Sequence, residues 1–163
     1  MDSQDKELLQ RASLLMKQQD FAGTISLLKS LNTHSELLLG LLSSAYAEVG
    51  LVAEAEATLN RLLSLHPDNH LAQFQLGMLK YRQGLSEEAF SIWVPLADEP
   101  LDIAAVFALA QAYYEHGRIE EAYGYTKSAR ARMNPDHVAY SRLQALEAGI
   151  LEVARANGLD IKN

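Results

Sequence analysis

The residues of this sequence that could do chemistry are few, and their spacing does not assemble a catalytic site. His66 and His70 have the i, i+4 spacing of metal ligands on a helix, but Pro67 between them prevents a common helical face. The acidic pairs Glu87-Glu88 and Glu120-Glu121 are residue types that serve as general acids and bases. Each pair falls in the first turn of a predicted helix, where negative charge interacts favourably with the helix dipole. We therefore expect these pairs to be structural.

Other signatures of catalysis and of cofactor binding are missing from the sequence. It contains no cysteine, which excludes disulfides, thiolate catalysis and cysteine-based zinc sites. The glycine-rich phosphate loops GxGxxG and GxxxxGKS/T do not occur, and neither does the nucleophile motif GxSxG. We predict that the protein is not an enzyme and that it binds no metal and no cofactor.

Composition and charge narrow the class of partner. The chain has 163 residues, of which 48% are apolar, enough for an ordinary globular core. With 14 Lys and Arg against 21 Asp and Glu, its net charge of −7 makes nucleic acid a poor partner. No apolar stretch approaches the roughly 18–20 residues that span a bilayer, and the acidic start does not resemble a signal peptide. We expect a cytoplasmic protein without membrane insertion.

A sequence pattern recurs along the chain at intervals of 33 or 34 residues, and the helices that it predicts would position any functional site. The repeated positions are a Glu-Ala pair, a glycine five residues before the alanine, and a leucine followed by a small residue eight positions before the glycine. In the three units they are Leu42-Ser43, Gly50 and Glu54-Ala55; Leu76-Gly77, Gly84 and Glu88-Ala89; Leu109-Ala110, Gly117 and Glu121-Ala122.

Each unit is predicted to form two amphipathic helices, because its apolar residues recur at helical spacing and a glycine separates the two stripes. Helices are expected at about 52–65, 70–83, 86–97, 103–116 and 119–133. Asp68 or Asn69 can cap the helix that follows Pro67. The small residues beside the leucines allow the two helices of a unit to cross closely. No segment shows the alternation of a strand, so the prediction is all-α.

This pattern resembles the tetratricopeptide repeat, a helix–turn–helix unit of 34 residues. The match is full over residues 36–69 and departs from the motif in 70–102 and 103–135, where Gln73 and Val106 replace the large opening residue and Lys80 replaces a tyrosine. Residues 4–34 are interpreted as a degenerate repeat. The resemblance implies a right-handed α-α superhelix of about four helix pairs, forming a single domain over 1–163.

Residues 136–157 are predicted to form one capping helix on the last pair. Asp136 is expected to cap this helix and Gly158 to end it. Its apolar residues are Val138, Leu143, Leu146, Ile150 and Val153. The alternative is that this helix swaps onto a second copy of the chain, which would give a homodimer.

A stack of such pairs implies a concave groove lined by the first helix of each pair. The first unit contributes small residues to the groove, and the later units contribute larger ones. Each of these later helices already has one apolar stripe that packs in the core, so its groove residues form a second stripe that needs another partner. The predicted groove residues are Leu71, Phe74, Met78 and Tyr81 in the middle unit and Phe107, Gln111 and Tyr114 in the third. Covering by the chain itself and self-association remain the alternatives.

The function predicted from this groove is a non-catalytic scaffold that binds a partner protein or peptide. Some tetratricopeptide domains hold acidic tails with a carboxylate clamp, but Lys80 and Arg82 are the only basic residues on the three inner helices between Glu36 and His116. We therefore expect an apolar segment that is neutral or basic. The alternative is a dedicated chaperone, because small acidic proteins with three such repeats are similar in layout to type III secretion chaperones.

Overall fold

The computed structural model describes residues 3–98 and 101–161, and all regular secondary structure in these ranges is α-helical. This confirms the predicted fold class, and the helix bounds agree with the predicted ones to within one residue for the middle helices. The nine helices described are α1 (Ser3–Lys17), α2 (Phe21–Leu28), α3 (Glu36–Glu48), α4 (Val52–Leu65), α5 (His70–Arg82), α6 (Ser86–Asp98), α7 (Ile103–Glu115), α8 (Ile119–Arg132) and α9 (Tyr140–Ala156).

The chain divides into two compact units, and the first is Met1–Gln83 with helices α1 to α5. Its core has two parts, each built from helices that are neighbours in sequence, as expected for a repeat that buries its apolar face against adjacent helices. One part is centred on α3, α4 and α5 and the other on α1, α2 and α3. The first contains Leu39, Ala55, Leu59, Leu62, Ala72 and Leu79, and the second contains Ala12, Leu28, Leu38 and Leu42.

The second unit is Gly84–Asn163 and contains helices α6 to α9. Its largest fully buried side chains are those of Trp93 on α6, Leu109 on α7 and Leu143 on α9. Helix α9 packs against α8 of the same chain. Glu147, which is only 7% exposed, accepts a hydrogen bond from Arg130 Nη2 at 3.2 Å. This bonded carboxylate raises the pKa of Arg130, so the pair holds α9 on α8 with the guanidinium charged.

The turns and crossings that the repeat predicted are present. Gly50, Gly84 and Gly117 have φ of 77°, 78° and 71°, the left-handed conformation that ends a helix at low cost only for glycine. In the degenerate first repeat, Gln19 occupies this position with φ of 58°. The small residues at the predicted crossings are buried, with Ala55 and Ala110 at 0% exposure. These positions leave no room for a larger side chain between two crossing helices.

The start of the capping helix was predicted incorrectly. Helix α9 begins at Tyr140 rather than at Asp136, and residues 135–139 form turns and a bend. The Asn134 side chain accepts a hydrogen bond from the Asp136 N–H at 3.0 Å, and His137 Nδ1 accepts one from the Ala139 N–H at 3.1 Å. Side chains that bond the local backbone in this way compete with a helix. As a result Val138, expected in the capping stripe, lies outside the helix and is 88% exposed.

Candidate docking face on the inner helices

Two adjoining cavities open on the side of unit 1 that α3 and α5 share. The first, of about 420 Å³, is lined by apolar residues of α1, α3 and α5, including Leu9, Leu37 and Leu71. The second, of about 240 Å³, is lined mainly by α3 and α5, including Phe74 and Met78. Residues Ser44 and Gln75 line both cavities, so the two adjoin at these side chains. We call this surface, from Leu9 and Leu37 to Met78, the inner face of unit 1.

The inner face exposes large apolar side chains. Leu37 on α3 is 56% exposed and Leu71 on α5 is 65% exposed, and both line the larger cavity. Leaving a leucine in water forfeits roughly 1.5–3 kcal/mol relative to burying it, so two exposed leucines beside one cavity are a notable cost. Contiguous exposed apolar surface of this kind marks sites of interaction in soluble proteins.

Helical geometry explains why α5 has an apolar stripe on this side. Its core stripe consists of Ala72, Gly77 and Leu79, which are buried. The four residues at i, i+3, i+4 and i+7 on the inner face are Leu71, Phe74, Gln75 and Met78. The cap fixes where the helix begins, because the side chain of Asn69 accepts a hydrogen bond from the Ala72 N–H at 2.8 Å.

The small residues predicted on the first inner helix shape the cavities. Gly40 and Ser44 line the larger cavity, and Ser44 and Ala47 line the smaller one. An added Cβ at Gly40 would meet no atom within 4 Å, so the glycine leaves open space rather than accommodating a neighbour. The depth of the inner face therefore comes from the short side chains of α3, while α5 supplies the larger apolar walls.

The charged groups around the cavities are few. Glu48 and Arg82 line the smaller cavity and form no ion pair with any other described residue. Glu36 lines the larger cavity, and its carboxylate oxygens are occupied by His66 Nδ1 at 2.9 Å and Asn69 Nδ2 at 2.8 Å. Positive charge on α5 is therefore limited near the cavities to Arg82.

Lys80, the other basic residue of this helix, points to α4 instead. Its Nζ lies 2.7 Å from Glu56 Oε1, and the hydrogen bond from the ammonium lowers the pKa of Glu56. The tyrosine of the repeat motif is thus replaced by a lysine whose charge is balanced by the neighbouring helix. Lys80 does not line either cavity.

Not all predicted groove residues meet at these cavities. Leu71, Phe74 and Met78 line them, whereas Tyr81 lies further along α5 and is half-buried. In unit 2, the predicted residues follow one face of α7. Phe107 is half-buried beneath the Arg142 guanidinium, 4.9 Å from the ring centroid; Gln111 donates to Glu115 Oε1 at 2.6 Å; Tyr114 is 41% exposed.

The histidine and the acidic pairs that could have served in catalysis or metal binding have structural roles instead. His66 bonds Glu36 through Nδ1, and its Nε2 lies 2.9 Å from the His34 carbonyl oxygen. Glu87, Glu88, Glu120 and Glu121 lie in the first turns of α6 and α8, as predicted. Within residues 3–98 and 101–161, no group of three or more His, Asp or Glu side chains could hold a metal ion. None of the helices described there has the length and apolar character needed to cross a membrane.

Comparison with known proteins identifies the repeat. The family model described as tetratricopeptide repeat matches residues 15–80, which include the end of α1, the whole of α2, α3 and α4, and all but the last two residues of α5. Over residues 15–80 the chain is therefore similar to the tetratricopeptide repeat. Proteins of this family are generally non-catalytic interaction modules, so the fold supports a scaffold for protein–protein interaction. No curated protein matches the sequence.

Solved structures of repeat proteins are similar to the chain along most of its length. A putative kinesin light chain of Podosopora anserina, with nearly identical TPR-like repeats, has a TM-score of 0.70 and 20% identity over 94% of this chain and 86% of its own. MamA (AMB-1) has a TM-score of 0.67 and 20% identity over 95% of this chain and 85% of its own. At this identity the comparison shows the fold, an all-α helical repeat, and nothing more specific.

Three contributors to the inner face were missed by the sequence reasoning. Leu9 and Ser13 of α1 line the larger cavity, although the first repeat was treated only as a degenerate unit. Gln75 was not among the predicted groove residues, although it lines both cavities. Its position four residues after Leu71 and three before Met78 placed it on that stripe, so the helical spacing alone could have found it.

Proposed function

We propose that the chain is a non-catalytic scaffold that holds an apolar segment of a partner protein on the inner face of unit 1. The observation that carries the proposal is the exposure of Leu37 and Leu71 beside a cavity of about 420 Å³. Apolar anchors that enter such a cavity supply most of the affinity of a small interface. The partner segment would cover both leucines and thereby recover the free energy that their exposure forfeits.

Charge favours a neutral or basic segment. The chain carries a net charge of −7, and two carboxylates, Glu36 and Glu48, line the cavities against one guanidinium, Arg82. An acidic segment would meet repulsion from the whole molecule, whereas a basic one would be attracted and would associate faster at low salt. We infer that association with a basic peptide slows as ionic strength rises.

The face of α7 in unit 2 is proposed as a further contact surface. Tyr114 is exposed there, but the Phe107 ring is already contacted by Arg142, so this surface offers less free apolar area than the inner face of unit 1. A partner would therefore depend more strongly on Leu71 than on Tyr114. Comparing Leu71→Ser with Tyr114→Ser measures the two contributions separately.

Photocrosslinking tests the proposal. A benzoylphenylalanine residue is placed at Leu71, and for comparison at Leu65, a leucine of α4 that is 38% exposed and lines neither cavity. We expect a defined crosslinked partner at position 71 and none at position 65. The variant Leu71→Ser should weaken capture of that partner about fivefold or more, and Leu65→Ser should not. Both variants should keep stability within about 1 kcal/mol. Equal crosslinking at the two positions would refute the inner face as the binding site.

The chaperone hypothesis uses the same surface and differs in the state of the partner. Leu37 is 56% exposed and Leu71 is 65% exposed, and an apolar surface of this kind can shield an aggregation-prone apolar segment of a partner. If the crosslinked partner is insoluble when expressed alone and soluble with this chain, the function is that of a dedicated chaperone. If the partner is soluble by itself, the function is that of a scaffold. We expect either role to be performed in the cytoplasm.

A further inference from the structure

Ser86, the first residue of α6, is hydrogen-bonded to the side chain of a histidine. Its Oγ lies 3.0 Å from Nε2 of His116, the residue that caps the C-terminus of α7. The other ring nitrogen, Nδ1, lies 2.8 Å from the Ala112 carbonyl oxygen. All three residues belong to unit 2. A serine beside a histidine whose far nitrogen is held by an acceptor is the arrangement that activates a hydroxyl as a nucleophile.

The Ala112 carbonyl fixes the tautomer of the histidine. A carbonyl oxygen only accepts hydrogen bonds, so the single N–H of the neutral imidazole is on Nδ1. Nε2 of His116 then presents its lone pair and accepts the hydrogen bond from the Ser86 hydroxyl. The hydroxyl hydrogen is therefore already directed at the atom that receives it when Ser86 Oγ attacks an electrophile.

The imidazole ring is held from three directions. Ser86 and Ala112 bond its two nitrogens, and the Phe90 ring meets it nearly at a right angle, with ring centroids 5.9 Å apart. Phe90 lies one turn along α6 from Ser86, and α6 packs against α7. Ser86 is partly exposed and His116 is exposed, so a reagent in solution reaches the pair.

We propose that Ser86 is a site of covalent modification, which an uncharged activated acyl donor (a thioester or an aryl ester) acylates with His116 as the general base. Ser86 Oγ attacks the acyl carbon while its proton passes to His116 Nε2. The Oγ–C bond forms, the bond to the thiolate or aryloxide breaks, and this leaving group takes up the proton from Nε2. The product is an O-acylserine, so the step modifies the chain once and is compatible with a scaffold that has no turnover.

The charge around the pair favours an uncharged donor. Arg118 Nη1 lies 3.4 Å from Glu87 Oε1, and Arg118 Nε lies 2.9 Å from Glu121 Oε1. The charged residues next to the pair along α6, α7 and the start of α8 are Glu87, Glu88, Glu115, Arg118, Glu120 and Glu121. One guanidinium against these carboxylates leaves an excess of negative charge, which repels anionic donors such as acyl phosphates.

Acetylation by p-nitrophenyl acetate, an uncharged aryl ester, tests the proposal on the full chain. Acetylated residues are located by tandem mass spectrometry, and the rate at Ser86 is compared with the rate at Ser91. Ser91 is the matched control, because it is an exposed serine of the same helix whose Oγ donates to the Glu88 carbonyl at 2.7 Å, an acceptor that takes up no proton. The variants are His116→Gln, which removes the base but keeps a hydrogen-bonding side chain, and His34→Gln, which removes an exposed histidine of unit 1.

We expect Ser86 to be acetylated about 100-fold faster than Ser91 in wild type and in His34→Gln, the lower end of what a general base contributes. In His116→Gln the two serines should react at the same rate. The rate at Ser86 should rise between about pH 5 and 8, the range in which histidines lose their proton, and level off above it.

Equal rates at the two serines of wild type would overturn the proposal, and so would a rate at Ser86 that His116→Gln leaves unchanged. Circular dichroism checks that each variant folds. If His116→Gln does not fold, the pH profile of wild type decides, and a rate at Ser86 that does not level off rules out the histidine as the base.

Discussion

The left-handed glycines allow a prediction whose sign depends only on backbone conformation. Gly117 ends α7 with φ of 71°, and Gly124 lies inside α8, seven residues later in the same unit. A Cβ built on either glycine meets no atom within 4 Å, so steric crowding does not distinguish the two. The substitutions Gly117→Ala and Gly124→Ala therefore differ in backbone conformation alone.

The two expected changes in the free energy of unfolding are similar in size and opposite in sign. At Gly117, a left-handed alanine costs about 1–2 kcal/mol, and the reduced entropy of the unfolded chain offsets about 0.4–1 kcal/mol of that. The net destabilisation is about 1 kcal/mol. At Gly124, an alanine in a helix interior stabilises by about 0.5–1 kcal/mol. For a chain of this size, 1 kcal/mol shifts the melting temperature by about 2–4 °C.

Thermal and urea unfolding followed by circular dichroism measure both variants. We expect Gly117→Ala to melt about 3 °C below wild type and Gly124→Ala about 2 °C above it, with unchanged dependence of the unfolding free energy on urea. If both substitutions move the melting temperature in the same direction, the left-handed conformation is not what glycine provides at the end of α7. The reasoning about the repeat turns would then be wrong.

Two further predictions concern the core and the Lys80–Glu56 pair. Leu143, which is 0% exposed, anchors α9, and Leu143→Ala should lower the free energy of unfolding in urea by about 2–5 kcal/mol, more than the half-buried Leu146→Ala. Because Lys80 lowers the pKa of Glu56, their pair stabilises the fold above the ordinary glutamate pKa, and this contribution is lost as pH falls through the lowered value. Glu56→Gln should therefore be less stable than wild type at pH 7, and the difference should shrink as pH falls below the ordinary glutamate pKa; a difference that does not change with pH would contradict the pair's role.

The helix boundaries of the repeat could be predicted from the sequence because the residues that end each helix act locally. A glycine in the left-handed conformation ends a helix whatever surrounds it, and α4 and α8 end shortly before Pro67 and Pro135. The predicted helix 52–65 therefore coincides with α4, Val52–Leu65. The start of α2 is also set locally, because the side chain of Asp20 accepts a hydrogen bond from the Gly23 N–H at 2.8 Å.

Prediction failed where several side chains compete for the same backbone. Asp136 follows a proline and precedes apolar residues, which is typical of a helix cap. Asn134 and His137 bond the local N–H groups first, and the helix begins four residues later than expected. Sequence alone does not rank such alternatives, because each is worth about 1 kcal/mol.

The inner face was only partly predictable for a different reason. The apolar stripe of α5 follows from helical spacing, but the state of the Gln75 amide depends on Ser44, 31 residues away on α3. Whether a buried polar atom has a partner is a property of tertiary neighbours. The contribution of Leu9 likewise required the packing of α1 against α3.

The side chain of Asn69 connects α3 to α5, so deamidation of this residue would affect the spacing of the two helices. One atom of its side-chain amide caps α5 through the Ala72 N–H, and the other donates to the Glu36 carboxylate in the first turn of α3. Deamidation to aspartate would preserve the cap, because a carboxylate accepts the same hydrogen bond, but it would place two negative charges against each other between the helices. Deamidation of this one residue would thus keep both helices intact while weakening the side-chain contact that holds the start of α5 against the start of α3.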